Sequence, residues 1–153
     1  LQIAAALVLP LLVVEAGLRT YDGLRGRTAA ASESRDDEKL GWVLNSAFRG
    51  SRKRNRCGEE VIRAPHDGRF LLRAASRAGG VRVLFIGDSY TQAHEVSSGK
   101  AYYDVFAERT QGVFAVWAAG VGGYGNVQEF MMLEELFERI KPDIVVWQLA
   151  GKT

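Results

Sequence analysis

Ser89 stands in the run Gly87-Asp88-Ser89-Tyr90-Thr91, directly after the apolar stretch Val81–Ile86, VRVLFI. A short run of branched and aromatic residues reads as a buried strand. A serine at the carboxyl end of such a strand sits where open α/β sheets bind their ligands. Its chemistry there would be that of a nucleophile. Gly87 permits a tight turn that a side chain would obstruct. A helical turn starting near Ser89 would aim free backbone N–H groups at the same spot. The same residues also make an ordinary strand-to-helix turn with Asp88 or Ser89 as its cap.

A second loop of unusual composition is Ala118-Ala119-Gly120-Val121-Gly122-Gly123-Tyr124-Gly125-Asn126, with four glycines in six residues. Such a backbone can approach a ligand closely. Gly120, Gly122 and Gly125 also satisfy G-x-G-x-x-G between an expected strand and helix, the pattern of a dinucleotide site. That reading needs an acidic residue near the end of the next strand, where Trp147, Gln148 and Leu149 stand instead. A third loop, Ala150-Gly151-Lys152-Thr153, ends in GKT, but a phosphate loop requires glycine at 146 and Val146 is there. A P-loop NTPase is therefore rejected.

The chain has two histidines, His66 and His94, and one cysteine, Cys57. These are too few for a Cys-rich zinc site or an internal disulfide framework, and no metal or cofactor is implied. His94 lies five residues after Ser89 and reads as a residue of the pocket rim. Nucleophile and base usually come from different loops. His66, in Pro65-His66-Asp67, reads as a turn residue.

The elements that must position these loops follow a rhythm. Val81–Ile86, Val113–Ala118 and Ile144–Leu149 read as strands. Ala101–Thr110 reads as a helix, and a second helix runs from Asn126, as N-cap with Glu129 three residues on, to Lys141-Pro142. Strand, helix, strand, helix, strand implies parallel pairing with helices on the sheet faces. Before them, Leu40–Ala47 and Arg69–Ala74 are short candidate strands flanking the basic loop GSRKRNRCG. No aromatic residues alternate with its charges, so it offers no stacking platform for single-stranded nucleic acid.

Of the 153 residues, 47% are apolar and 25% charged, which suits a globular chain. The net charge of +2 is divided between a basic first half and an acidic second half. A nucleic-acid binder concentrates positive charge on its working domain, so no nucleic-acid partner is expected. Residues 1–14, LQIAAALVLPLLVV, carry no charge. They read as part of a membrane anchor at 1–18, with the core of a signal peptide as the alternative. A polar linker is expected over 19–39, a small β appendage with the basic loop over 40–80, and the working domain over 81–153. The chain begins inside an apolar run and stops four residues after an expected strand, so a piece of a longer protein is expected.

VLFIGDSYTQ, then VWAAGVGGYGNVQE, then KPDIVVWQLAG, in that order, resemble the SGNH/GDSL hydrolase superfamily, closest to its bacterial membrane-anchored members. The resemblance implies an α/β fold: a three-layer, flavodoxin-like parallel sheet, here incomplete, preceded by an N-terminal membrane helix and a short β appendage. It implies that Ser89 is the nucleophile of an ester hydrolase. The oxyanion hole would come from the N–H groups of Ser89 and Gly123, with Gly87 and Asp88 as structural support. The expected substrate is a small ester such as an O-acetylated glycan, and the expected second partner is a lipid bilayer, with the catalytic domain on the periplasmic or extracellular side. The family's second block usually has Asn where Ala118 stands. Its third-block Asn falls on Lys152 or Thr153, which leaves Lys152, with His94, at the site rim. The family's D-x-x-H block, source of base and orienting acid, does not occur in these residues, so the isolated chain is expected to be inactive. The alternatives are a non-catalytic membrane-anchored binding module, an O-acyltransferase-related protein and, behind them, a dinucleotide-binding domain.

Overall fold

A computed structural model describes residues 10–21, 31–74 and 80–149. The chain divides into two compact units, Leu1–Ala30 and Ala31–Thr153. In the first, residues 10–21 form helix α1, on which Arg19 pairs with Glu15 one turn earlier at 2.7 Å.

The second unit opens with two antiparallel hairpins. β1 (Ser34–Asp37) pairs with β2 (Gly41–Leu44), and β3 (Ser51–Arg54) with β4 (Glu60–Arg63). The remaining strands are β5 (Leu71–Ala74), β6 (Val81–Gly87), β7 (Phe114–Gly120) and β8 (Ile144–Trp147). They form one sheet in the order β5-β7-β6-β8. β7, β6 and β8 run parallel, whereas β5 lies antiparallel on β7. Helix α2 (Ser89–Gln92) follows β6, α3 (Tyr102–Arg109) leads into β7, and α4 (Asn126–Ile140) joins β7 to β8.

The uninterrupted apolar run of β6 reflects burial on both faces. Leu84 and Ile86 pack with Met132, Leu136 and Ile140 of α4 and with Val43 and Leu44 of the first hairpin. Val83 and Phe85 point the other way, to Val116, Ala118 and Tyr103, with Phe106 of α3 against them. α4 starts one residue earlier than the cap expectation. Gly125 is the cap, and its N–H is taken by the Gln128 side chain at 3.1 Å rather than by Glu129. Lys141 ends the helix in the left-handed region, φ 49°, and Pro142 prevents continuation.

These observations correct the expected fold class. The sheets have two, two and four strands, and the largest is mixed, so an all-parallel flavodoxin-like sheet is not what forms. The cause is β5, whose antiparallel pairing closes the β7 edge. The expected N-terminal membrane helix is not borne out either: among the described residues no helix is long and apolar enough to cross a bilayer. α1 carries Glu15 and Arg19, charges that a bilayer core disfavours. Residues 1–9 of that expectation lie outside the described residues. β1 begins at Ser34, inside the stretch 19–39 expected as a polar linker.

Candidate functional site

β6 delivers Gly87 to the sheet's carboxyl edge, where the chain turns into α2. Asp88 is buried and acts as the cap: its Oδ1 accepts the Tyr90 N–H at 2.9 Å. The carboxylate is thereby engaged locally. Ser89 is the first residue of the helix and is exposed. A Cβ on Gly87 would come within 2.5 Å of Thr91 Oγ1 and 3.0 Å of the Gln148 carbonyl oxygen, so only glycine lets α2 fold back against the end of β8. Thr91 fixes the opposite side, bonding to Gln148 Oε1 and to the Tyr102 hydroxyl, both at 3.0 Å.

Ser89 opens on a cavity of about 610 Å³ whose other walls include Arg56, Tyr90, Ala93, His94, Val96, Lys100 and Tyr102. Burial pushes the Tyr102 phenol above its ordinary pKa, so the hydroxyl stays protonated at neutral pH.

The glycine loop meets α2 from β7. A Cβ on Gly122 would lie 2.8 Å from Gln92 Oε1, 3.6 Å from His94 Nε2 and 3.7 Å from Ser89 Cβ. Gly122 is thus the common floor between Ser89 and His94. Its N–H is occupied, donating to Gln92 Oε1. Gly123 adopts φ +84° and does not line the cavity; the Trp42 indole covers it, 3.0 Å from where its Cβ would stand. Among the described residues, no acceptor takes the backbone N–H of Ser89 or of Gly123. These glycines make room for protein: Gln92 fills one face and Trp42 the next, which leaves no cradle for a pyrophosphate between them. That geometry counts against a dinucleotide site.

Both hairpins brace these loops. Trp42 Nε1 donates to the Gly122 carbonyl at 2.9 Å, and Tyr124 donates its hydroxyl to the Trp42 carbonyl. Gln128 Nε2 reaches the Leu40 carbonyl at 2.7 Å. From the second hairpin, Arg63 is buried under the C-terminal end of α2 and donates to the carbonyls of Ala93 at 2.7 Å and Gln92 at 2.9 Å. A cation at that end also complements the unpaired helix carbonyls.

One carboxylate gathers the rest. Glu33 Oε1 lies 3.2 Å from Arg63, 3.3 Å from Gln92 Nε2 and 3.1 Å from His66 Nε2. The His66 contact is at ion-pair distance without hydrogen-bond alignment, since that nitrogen has no hydrogen-bond partner. Glu33 Oε2 lies 3.2 Å from His94 Nδ1. Burial opposes ionisation of Glu33, but the contacts from His66 and His94 and the charge of Arg63 outweigh it and hold its pKa far below 4.5. His66 is stacked on Phe48, ring centroids 4.9 Å apart. No group of three His, Cys, Asp or Glu among the described residues is disposed to hold a metal ion.

The structure brings Ser89, Gly87, Asp88 and His94 together and sets Gly123 beside them under Trp42. Lys152 lies outside the described residues. Sequence reasoning missed Glu33, Arg63, Gln92 and Trp42. Glu33 sits in a polar stretch with no periodicity, and nothing local marks it. Arg63 offered a weak signal, as an inward position of the alternating strand Glu60–Arg63. Comparison with known proteins finds no match for this chain among family models, curated proteins or solved structures.

Proposed function

We propose that the protein is a serine esterase, or the closely related acyltransferase, with Ser89 as nucleophile and a small ester such as an O-acetylated glycan as substrate. One observation carries the reading. A serine exposed at the start of a short helix, directly after a buried strand, opens on a cavity large enough for a small ester. The Ser89 N–H, which no acceptor among the described residues takes, is the donor available to the tetrahedral oxyanion in this cavity, whereas Gly123 stands outside it under Trp42; losing one such donor typically costs about 10²–10³ in rate. The sequence resemblance to SGNH hydrolases supports the same chemistry, although the sheet expected from it is not adopted here. Transfer to a sugar hydroxyl differs only in the acceptor that attacks the acyl-enzyme.

A fluorophosphonate probe tests the nucleophile. Labelling that disappears in Ser89→Ala is the expected result. No labelling, or equal labelling of the variant, refutes the esterase reading and favours a non-catalytic binding module.

A further inference from the structure

We infer that Arg56 and Lys100 form an anion subsite on the wall of the Ser89 cavity, so that the ester taken there belongs to an acidic glycan whose charge is a carboxylate or a sulfate. The ester rests on the esterase reading, and the acid rests on the charges of the wall. Three observations support the subsite. First, Arg56 and Lys100 line the same cavity as Ser89, and neither side chain has a hydrogen-bond or ion-pair partner among the described residues. Second, Glu95 is the one carboxylate on that wall, and Lys53, which stands outside the wall, lies 3.7 Å from it. The wall therefore keeps a surplus of positive charge. Third, Tyr90 beside Ser89 leaves 72% of its surface exposed, an apolar ring with a wet hydroxyl against which a sugar ring can lie.

The second hairpin explains why Arg56 stands there. Its run SRKRNRC carries four cations, and three of them have local partners. Arg52 meets Glu60 at 3.2 Å, Lys53 meets Glu95, and Arg54 donates to the Gly58 carbonyl at 2.9 Å. Arg56 is the exception, and it is the one that lines the cavity. The turn that carries it is fixed, because Asn55 Oδ1 accepts the N–H groups of Cys57 at 3.0 Å and Glu59 at 2.9 Å. The hairpin is also joined to the loop after α2. The Ile62 N–H donates to Ser97 Oγ at 3.1 Å, the Ser98 N–H to the Ile62 carbonyl at 2.9 Å, and the Ala64 N–H to Ser98 Oγ at 2.9 Å. Lys100 follows on that loop, where Asp104 Oδ2 accepts the N–H groups of Gly99 at 3.0 Å and Ala101 at 3.2 Å. Both cations thus stand on backbone that is already ordered, so an anion has only their side chains to immobilise.

A planar guanidinium matches two oxygens of one carboxylate or sulfate, and an ammonium adds a point charge beside it. The cavity, at about 610 Å³, is of the size that encloses a small organic ligand, which gives room for a charged sugar unit together with its ester. Contacts to a charge that is the same in substrate and transition state lower KM without raising kcat. The subsite therefore selects the substrate and takes no part in the bond-breaking step.

Calorimetric titration of the Ser89→Ala protein with trigalacturonate, with its uncharged methyl ester and with a sulfated galactotriose tests this. At least one acidic sugar is expected to bind about tenfold more tightly than the methyl ester, and the tighter of the two tells carboxylate from sulfate. Added salt is expected to shrink the difference. Arg56→Gln combined with Lys100→Gln is expected to erase it; both positions are exposed, so the fold tolerates the exchange. Equal affinity for charged and uncharged sugars, or a preference that survives in the double variant, overturns the subsite. Binding to phosphatidylglycerol vesicles with no affinity for either acidic sugar overturns it too and assigns the cations to a membrane surface. The esterase reading fails separately: a charge preference in a protein whose Ser89 no fluorophosphonate labels keeps the subsite and removes the ester chemistry.

Discussion

Gly120→Ala probes the contact that seats α2, the helix that opens with Ser89. The added methyl carbon would lie 2.8 Å from Gln92 N, 2.9 Å from Thr91 Cβ and 3.0 Å from the Asp88 carbonyl oxygen. Carbon contacts are comfortable at about 3.5–4.0 Å, so α2 must retreat from β7 by roughly 0.5–1 Å. The obstructing atoms are backbone and a fully buried threonine, which cannot swing aside as a long side chain would. Overpacking of this kind costs about 1–3 kcal/mol. Alanine recovers about 0.5–1 kcal/mol over glycine in a strand, for a net loss of about 1–2 kcal/mol. With Ser89 as the proposed nucleophile, the expected functional cost is larger, because a displacement of about 1 Å at a reacting group lowers rates about 10²-fold. Urea denaturation followed by tryptophan fluorescence measures the first quantity. The rate of fluorophosphonate labelling, taken well below the unfolding transition, measures the second. A variant as stable as the parent and labelled as fast would refute the claim that Gly120 sets the position of α2.

Two further outcomes follow from the ionisable groups. The Glu33 pKa is depressed in the folded state, so its contribution is complete above the ordinary carboxylate value of 4.5 and is lost as pH falls below it; stability measured from pH 7 to pH 3 should decline more gently in Glu33→Gln than in the parent. The Tyr124 phenol is pushed up to about 12, chiefly by burial, so its contribution is present below pH 10 and is lost as pH rises through 12; Tyr124→Phe should remove that alkaline limb and, by deleting the hydroxyl bond to Trp42, cost about 1 kcal/mol in urea.

The second half of the chain was legible because its elements are locally consistent. β6 from Val83 and β7 are largely buried and so appear as nearly continuous apolar runs, and α4 carries its apolar residues at helical spacing before Lys141-Pro142. Of the hairpins only β2 was legible, within the candidate strand Leu40–Ala47, and β1 and β3 gave no such signal. β1 reads SRDD and β3 reads SRKR, exposed along almost their whole length; a strand with no buried face has no alternation to detect. The antiparallel seating of β5 is likewise a tertiary choice that its four residues do not announce. At the site, Ser89, Gly87 and Asp88 were found from residue type and position. The contact of His94 with Glu33 was not, because Glu33 approaches through the tertiary fold and not through sequence spacing.

The bracing of the glycine loop by the first hairpin also has a consequence in time. The bonds of Trp42 to Gly122 and of Gln128 to Leu40 join positions 80 and 88 residues apart. Closing so long a segment costs more entropy than the strand–helix–strand connections within the main sheet. During refolding the sheet is therefore expected to form ahead of the docking step that covers Gly123. Burial of the Trp42 indole, and not recovery of secondary structure, is then the expected last event in the assembly of this fold.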